Sequence, residues 1–163
     1  MIKLLWIFVL GGLFLLCLPG LNAGAENPAS LNGIEIAFSS CIAMLDASPH
    51  YAPLAVHGFL APPSLYSRAQ LTDPEMATPA EARLVADFQQ AEGHCEVKRR
   101  IDLMNVSATL SDLASQGRQL TDVNELLLID GKENWGEFSS YRAQLDTSLR
   151  QASAAAIAEI PVR

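Results

Sequence analysis

Residues 78–104 read TPAEARLVADFQQAEGHCEVKRRIDLM, and the opening four residues set the fold class. Thr78 offers a side-chain oxygen as a helix cap. Pro79 fills the first helical position, where its missing N–H costs nothing, and Glu81 can return a hydrogen bond to the cap. A long helix is therefore predicted to start here. Leu84, Val85, Phe88, Ala91 and Cys95 recur at helical spacing and make its buried stripe. The stripe then drifts to Ile101, Met104 and Ala108, and further to Leu110 and Leu113. Such a drift implies a bend near Asn105 or two helices joined end to end, with Gly117 as the stop. Asn105-Val106-Ser107 matches a glycosylation acceptor, but it falls inside this helical pattern and reads as chance.

Downstream, Thr121 is expected to open a short helix to about Ile129, closed by Gly131 in a left-handed C′ position. Asn134-Trp135-Gly136-Glu137 repeats the cap-plus-acid pattern, although Gly136 weakens the first turn. Phe138, Tyr141, Leu145, Leu149, Ala152, Ala156 and Ile160 follow at spacings of three and four, an amphipathic helix stopped by Pro161. Upstream, a helix over residues 31–47 carries Ile34, Phe38, Cys41 and Leu45 on one stripe. Asn32 is its expected cap, with Glu35 as the reciprocal partner, and Ser48-Pro49 ends it.

Between these helices, residues 48–78 hold a run of prolines, with short helical turns expected over 54–60 and 64–71. Tyr51, Leu54, Val56, Phe59, Leu60, Leu65 and Tyr66 make this segment too apolar for a loose linker, so it reads as an ordered cover across the helices. No stretch alternates with period two, and neither Asn32-Gly33 nor Asp130-Gly131 sits between strand-like runs. The expected fold is all-α: a small antiparallel bundle of three to four main helices under a Pro-rich, short-helix cover.

Composition agrees. Half of the 163 residues are hydrophobic, 18% are charged and mean hydropathy is +0.19, which excludes wholesale disorder. The length suits one domain. A net charge of −7 argues against nucleic acid as a partner, since phosphate binding needs a basic surface.

Residues 1–25 read as a cleaved secretory signal. One cation, Lys3, precedes the apolar run LLWIFVLGGLFLLCL over residues 4–18; Pro19-Gly20 breaks it, and Ala23-Gly24-Ala25 supplies small residues for cleavage. An uncleaved anchor wants about 20 apolar residues, more than this run offers. Lipidation at Cys17 is disfavoured by the bulk of Leu16 before it. Cleavage leaves a single helical domain over residues 26–163, with no stable membrane span and a periplasmic or secreted destination. It also leaves two cysteines, Cys41 and Cys95, for which an oxidising compartment makes one disulfide the default. That bridge closes a loop of about 55 residues.

Catalytic signatures are missing. The sequence holds no G-x-S-x-G, S-x-x-K, H-E-x-x-H, C-x-x-C or Gly-rich phosphate loop, so no catalytic residue, cofactor or metal ligand is assigned. His50, His57 and His94 would bind a metal only if the fold brought them together with further ligands, which their spacing does not dictate. The stretch from Asp130 fails as a calcium loop, with Trp135 at the glycine position and Tyr141 at the acid position. Lys98-Arg99-Arg100 fans around a helix and is expected to pair with Glu92, Glu96 or Asp102. Trp135 is the interaction candidate, set against the commoner role of a staple closing the bundle end. The leading expectation is a non-catalytic exported protein that works by binding another protein, such as one of the envelope, or the cell envelope itself. A small-molecule or metal carrier comes second, and an envelope enzyme built on a carboxylate pair comes third.

Overall fold

A computed structural model of the chain describes residues 30–160. The expected leader over residues 1–25 lies outside the described residues, as does Pro161. Five α-helices appear in order: α1 (Leu31–Asp46), α2 (Arg68–Leu71), α3 (Pro79–Met104), α4 (Ala108–Ile129) and α5 (Trp135–Ala158). Short 3-10 turns at Ala52–His57 and Pro63–Leu65 complete the cover, and no strand occurs among the described residues. The all-α bundle is as the residue pattern requires.

Local chemistry places the helix ends. Thr78 and Glu81 form the reciprocal cap of α3, and Asn134 and Glu137 do the same for α5. After α4, Gly131 takes φ +64°, its N–H bonds to Leu128 O, and the Lys132 N–H reaches Leu127 O. These two bonds are the Schellman pair that a left-handed glycine permits. The α1 cap is Ser30, whose side chain accepts the Gly33 N–H. Asn32, expected in that role, lies two residues later as the second residue of the helix, and Glu35 turns away to meet Arg99.

The drifting stripe resolves as two helices. α3 ends at Met104, Asn105 to Ser107 form the link, and Ser107 caps α4 by accepting the Leu110 N–H. The acceptor-like Asn105-Val106-Ser107 is thus a connection, with Asn105 exposed, and not helix interior. α4 then runs unbroken through Gly117 and Thr121 to Ile129. A helix-interior glycine costs about 1 kcal/mol relative to alanine. Here packing overrides that cost: a Cβ at Gly117 would stand 2.7 Å from Leu149 Cδ1 of α5.

Neighbouring helices run antiparallel. The Ser111 hydroxyl donates to Arg100 O, Glu92 meets Arg118 and Gln89 meets Asp122, so α3 and α4 pass in opposite directions. α1 runs against α3 in the same sense, through Glu35–Arg99 and the Cys41–Cys95 bridge, whose Cα atoms are 5.9 Å apart. The expected disulfide therefore joins two separate helices.

Apolar burial divides in two. At one end, Tyr51, Leu54 and Phe59 of the cover pack with Val85, Phe88, Leu128, Trp135 and Phe138. At the other, Ile34, Leu103, Leu110 and Ala156 close the bundle. Ile101 and Met104, expected in the core, face solvent, and Leu103 takes the inward position. Val56 and Leu65 of the cover are likewise exposed. Among the described residues no helix is long and apolar enough to cross a membrane.

Candidate functional site

The start of α5 gathers the first group. Glu81 carries two duties: Oε2 accepts the Thr78 N–H at 2.8 Å, and Oε1 lies 3.2 Å from His57 Nε2. The other ring nitrogen, Nδ1, is 2.8 Å from Asp73 Oδ2. The imidazole is buried and stacks flat on Trp135, with ring centroids 4.4 Å apart. Burial alone would raise the pKa of Asp73 and Glu81. The hydrogen bonds they accept, from His57 and from nearby N–H and hydroxyl groups, outweigh it and hold both below the ordinary carboxylate range.

The segment bearing Asp73 is fixed to α5 through its backbone. The Trp135 N–H donates to Glu75 O at 2.9 Å and the Gly136 N–H to Asp73 O at 2.8 Å. These are two of the N–H groups that a helix start leaves unpaired. Gly136 is needed for this approach, because an added Cβ would fall 2.7 Å from Asp73 N and 2.8 Å from Asp73 O. Its cost to the first turn is thereby explained. Gly136→Ala is expected to push the segment away and destabilise the fold by about 1–3 kcal/mol, the usual scale of overpacking. Urea unfolding followed by circular dichroism checks this. A midpoint unchanged from the parent would mean that the segment is not seated against α5.

A second group separates the two apolar clusters. Glu92 and Glu96 of α3, Arg118 and Glu125 of α4 and Arg142 of α5 lie between them along their helices. Arg118 pairs with Glu92 and Asp122 and donates to Gln89 O at 2.9 Å. Glu125 is fully buried; Arg118 Nη2 is 3.8 Å away, and neither carboxyl oxygen has a hydrogen-bond partner. Burial, then the charge of Glu92, pushes its pKa up to about 8, against the pull of Arg142 and Arg118. Asp46, at the end of α1, rises to about 6 for the same two reasons. Burial also raises Glu96, although Arg99 opposes it. Burial works against the charge on Arg142, yet Tyr66, Glu92 and Glu125 reverse its effect and raise the pKa. The Arg142 guanidinium sits 5.7 Å from the Phe59 ring centroid and 5.6 Å from that of Phe138.

Raised carboxylates are a usual mark of acid–base chemistry. Chemistry also needs access, and two shallow surface grooves among the described residues lie elsewhere. One runs from Leu71 to Asp73 against Asn134 and Glu137; the other lies between Pro63 and Arg150. Neither includes Asp46, Glu92, Glu96 or Glu125.

The third feature is on the surface. Leu120, Val123, Leu126 and Leu127 stand within about two turns of α4, each between 38% and 54% exposed. Leu120, Val123 and Leu127 recur at i, i+3 and i+7, which aligns them in one stripe. Val97, Ile101 and Met104 form a similar exposed row on α3.

The residues singled out from sequence fare differently. Cys41 and Cys95 meet. Trp135 is fully buried between His57, Phe59 and Phe138, so in this fold it closes the bundle end and presents no surface to a partner. His50 pairs with Asp87 at the surface, His94 is exposed, and only His57 lies among carboxylates. Of the basic run, Lys98 pairs with Asp102, as its spacing requires. Arg99 reaches across to Glu35, also meets Glu96, and lies 4.4 Å from the centre of the Phe38 ring. Arg100 approaches Ser115. The contacts of His57 with Asp73 and Glu81 and the Glu125–Arg142 layer were not visible beforehand.

Fold and site together define a disulfide-bridged, all-α bundle with a charged middle layer and an exposed aliphatic stripe. No protein-family model, curated protein or solved structure matches the chain.

Proposed function

We propose that the protein is exported, loses residues 1–25, and acts without catalysis by binding another protein of the cell envelope. The single observation that supports this reading is the aliphatic stripe Leu120, Val123 and Leu127 on the outer face of α4. A water-facing helix ordinarily shows polar residues there. An apolar row at i, i+3 and i+7 is what a partner helix or groove buries. The bridge between Cys41 and Cys95 fits an oxidising compartment, and the net charge of −7 disfavours nucleic acid as the partner.

Carriage of a metal or small molecule is the second reading, favoured by the carboxylate-flanked His57. An envelope enzyme ranks last, because the raised carboxylates Asp46 and Glu125 line neither surface groove.

The test is a photo-crosslinking residue placed at Val123 or Leu127 in the exporting cell, with exposed Gln90 as the control position. Positions 123 and 127 are expected to give one discrete heavier adduct, and position 90 none. The same pattern at all three positions, or no adduct at 123 and 127, would overturn the reading.

A further inference from the structure

We propose that His57 Nδ1 and the carboxylates of Asp73 and Glu75 form a binding site for one divalent transition-metal cation of the zinc class, with Glu81 orienting the imidazole from behind. Ligand atoms of these three residues all lie within 4.8 Å of one another. Zinc takes nitrogen and oxygen ligands at about 2.0–2.2 Å, which brings adjacent ligand atoms to roughly 3–3.5 Å of each other. Reaching that spacing needs rotation of the exposed Glu75 side chain and a small outward shift of the Asp73 carboxylate from its 2.8 Å contact with Nδ1.

The surroundings of His57 are those of a metal ligand as well as of a core histidine. A metal-bound imidazole usually donates its second N–H to a carboxylate, which fixes the tautomer and the ring plane. Glu81 Oε1 holds that place, 3.2 Å from Nε2. With Nε2 given to Glu81, Nδ1 is the nitrogen left to ligate an ion held together with Asp73. The Trp135 indole, parallel to the ring within 3°, prevents it from tilting away. The histidine side chain is more than nine-tenths buried, so its position is settled before any ion arrives.

The backbone that carries the two oxygen ligands is also positioned in advance. Backbone oxygens of Asp73 and Glu75 are tied to the first N–H groups of α5. Asp73 Oδ1 accepts the Glu75 N–H at 3.0 Å, which leaves Oδ2 toward His57. One neutral nitrogen and two carboxylates carry a charge that balances a divalent ion. The exposed flank at Glu75 leaves the remaining coordination positions to water.

This site is independent of the aliphatic stripe on α4, and either can fail alone. The test is titration of the purified, disulfide-bonded protein with zinc chloride by calorimetry and with copper(II) by tryptophan fluorescence. Trp135 lies against the ligand ring and reports a paramagnetic ion there. One equivalent of each metal is expected to bind, with copper quenching the indole. Glu75→Gln removes an exposed ligand and is expected to weaken zinc by at least about tenfold, while thermal unfolding of the metal-free protein is unchanged. Glu81→Gln is expected to weaken it by roughly 10–100-fold, the usual cost of losing the orienting group. His94→Ala is expected to have no effect. Absence of saturable binding, affinity indifferent to Glu75→Gln, or loss of binding in His94→Ala would each overturn the assignment.

Discussion

Reduction of the Cys41–Cys95 bridge is expected to lower the unfolding free energy by about 4 kcal/mol, the chain-entropy value for a loop of this length. The two cysteines are 54 residues apart, and the loop contains the whole Pro-rich cover. Freed from the bridge, that segment gains conformations only in the unfolded chain. α1 depends on the bridge most. It is held to the bundle by Ile34, Leu31 and Leu45 at the two apolar clusters, by the Arg99–Glu35 pair and by the Arg99–Phe38 contact. For a domain whose total stability is of the order of 5–15 kcal/mol, the loss is large. Urea unfolding with and without reductant measures it. The Cys41→Ser/Cys95→Ser variant should match the reduced parent and ignore reductant. Equal midpoints for the oxidised and reduced parent would show that the bridge does not constrain the chain.

Glu125→Gln is expected to stabilise the protein at pH 8 by several kcal/mol and to change little near pH 4.5. The unfolded chain ionises this carboxyl above its ordinary value of 4.5, while the folded protein keeps the proton until about 8. Between these values the unfolded state binds fewer protons, so stability falls as pH rises, by up to about 1.4 kcal/mol per unit. The contribution is fully present below pH 4.5 and gone above about 8. Asp46 adds a smaller decline in the same direction between 3.8 and about 6. Asp73 and Glu81, whose pKa values are lowered, act oppositely and lose stability as pH falls through the acid range. Glutamine keeps the shape and has no proton to lose, so the variant's stability profile should be flatter between pH 5 and 8. Parallel profiles for parent and variant would mean that Glu125 is not the buried acid described.

The caps of α3 and α5, the glycine after α4 and the bridge were legible because they depend on neighbours in sequence or on cysteine count. Thr78 with Glu81, Asn134 with Glu137, and Gly131 each act within one turn. The core stripe of α3 was legible only as far as Cys95. Beyond it the inward face carries Glu96, Arg99 and then Leu103, and charges on a stripe read as solvent-facing. Glu35 of α1 and Arg118 of α4, two distant chain segments, meet these charges in the fold or lie close by. Glu125 was hidden in the same way: it stands one turn before buried Leu128, on the core side of α4, and its residue type masks its position. Gly117 misled because its reason is Leu149 on another helix, and local propensity is blind to that. His57 became a candidate only when the cover folded it between Asp73 and Glu81.

The intact mass of the protein, purified without reductant from the cell that makes it, tests the export claim most directly. The account requires the mass of residues 26–163, lighter by the two hydrogens lost in joining Cys41 to Cys95. A full-length mass, or the uptake of two alkyl groups on unfolding without reductant, would contradict it.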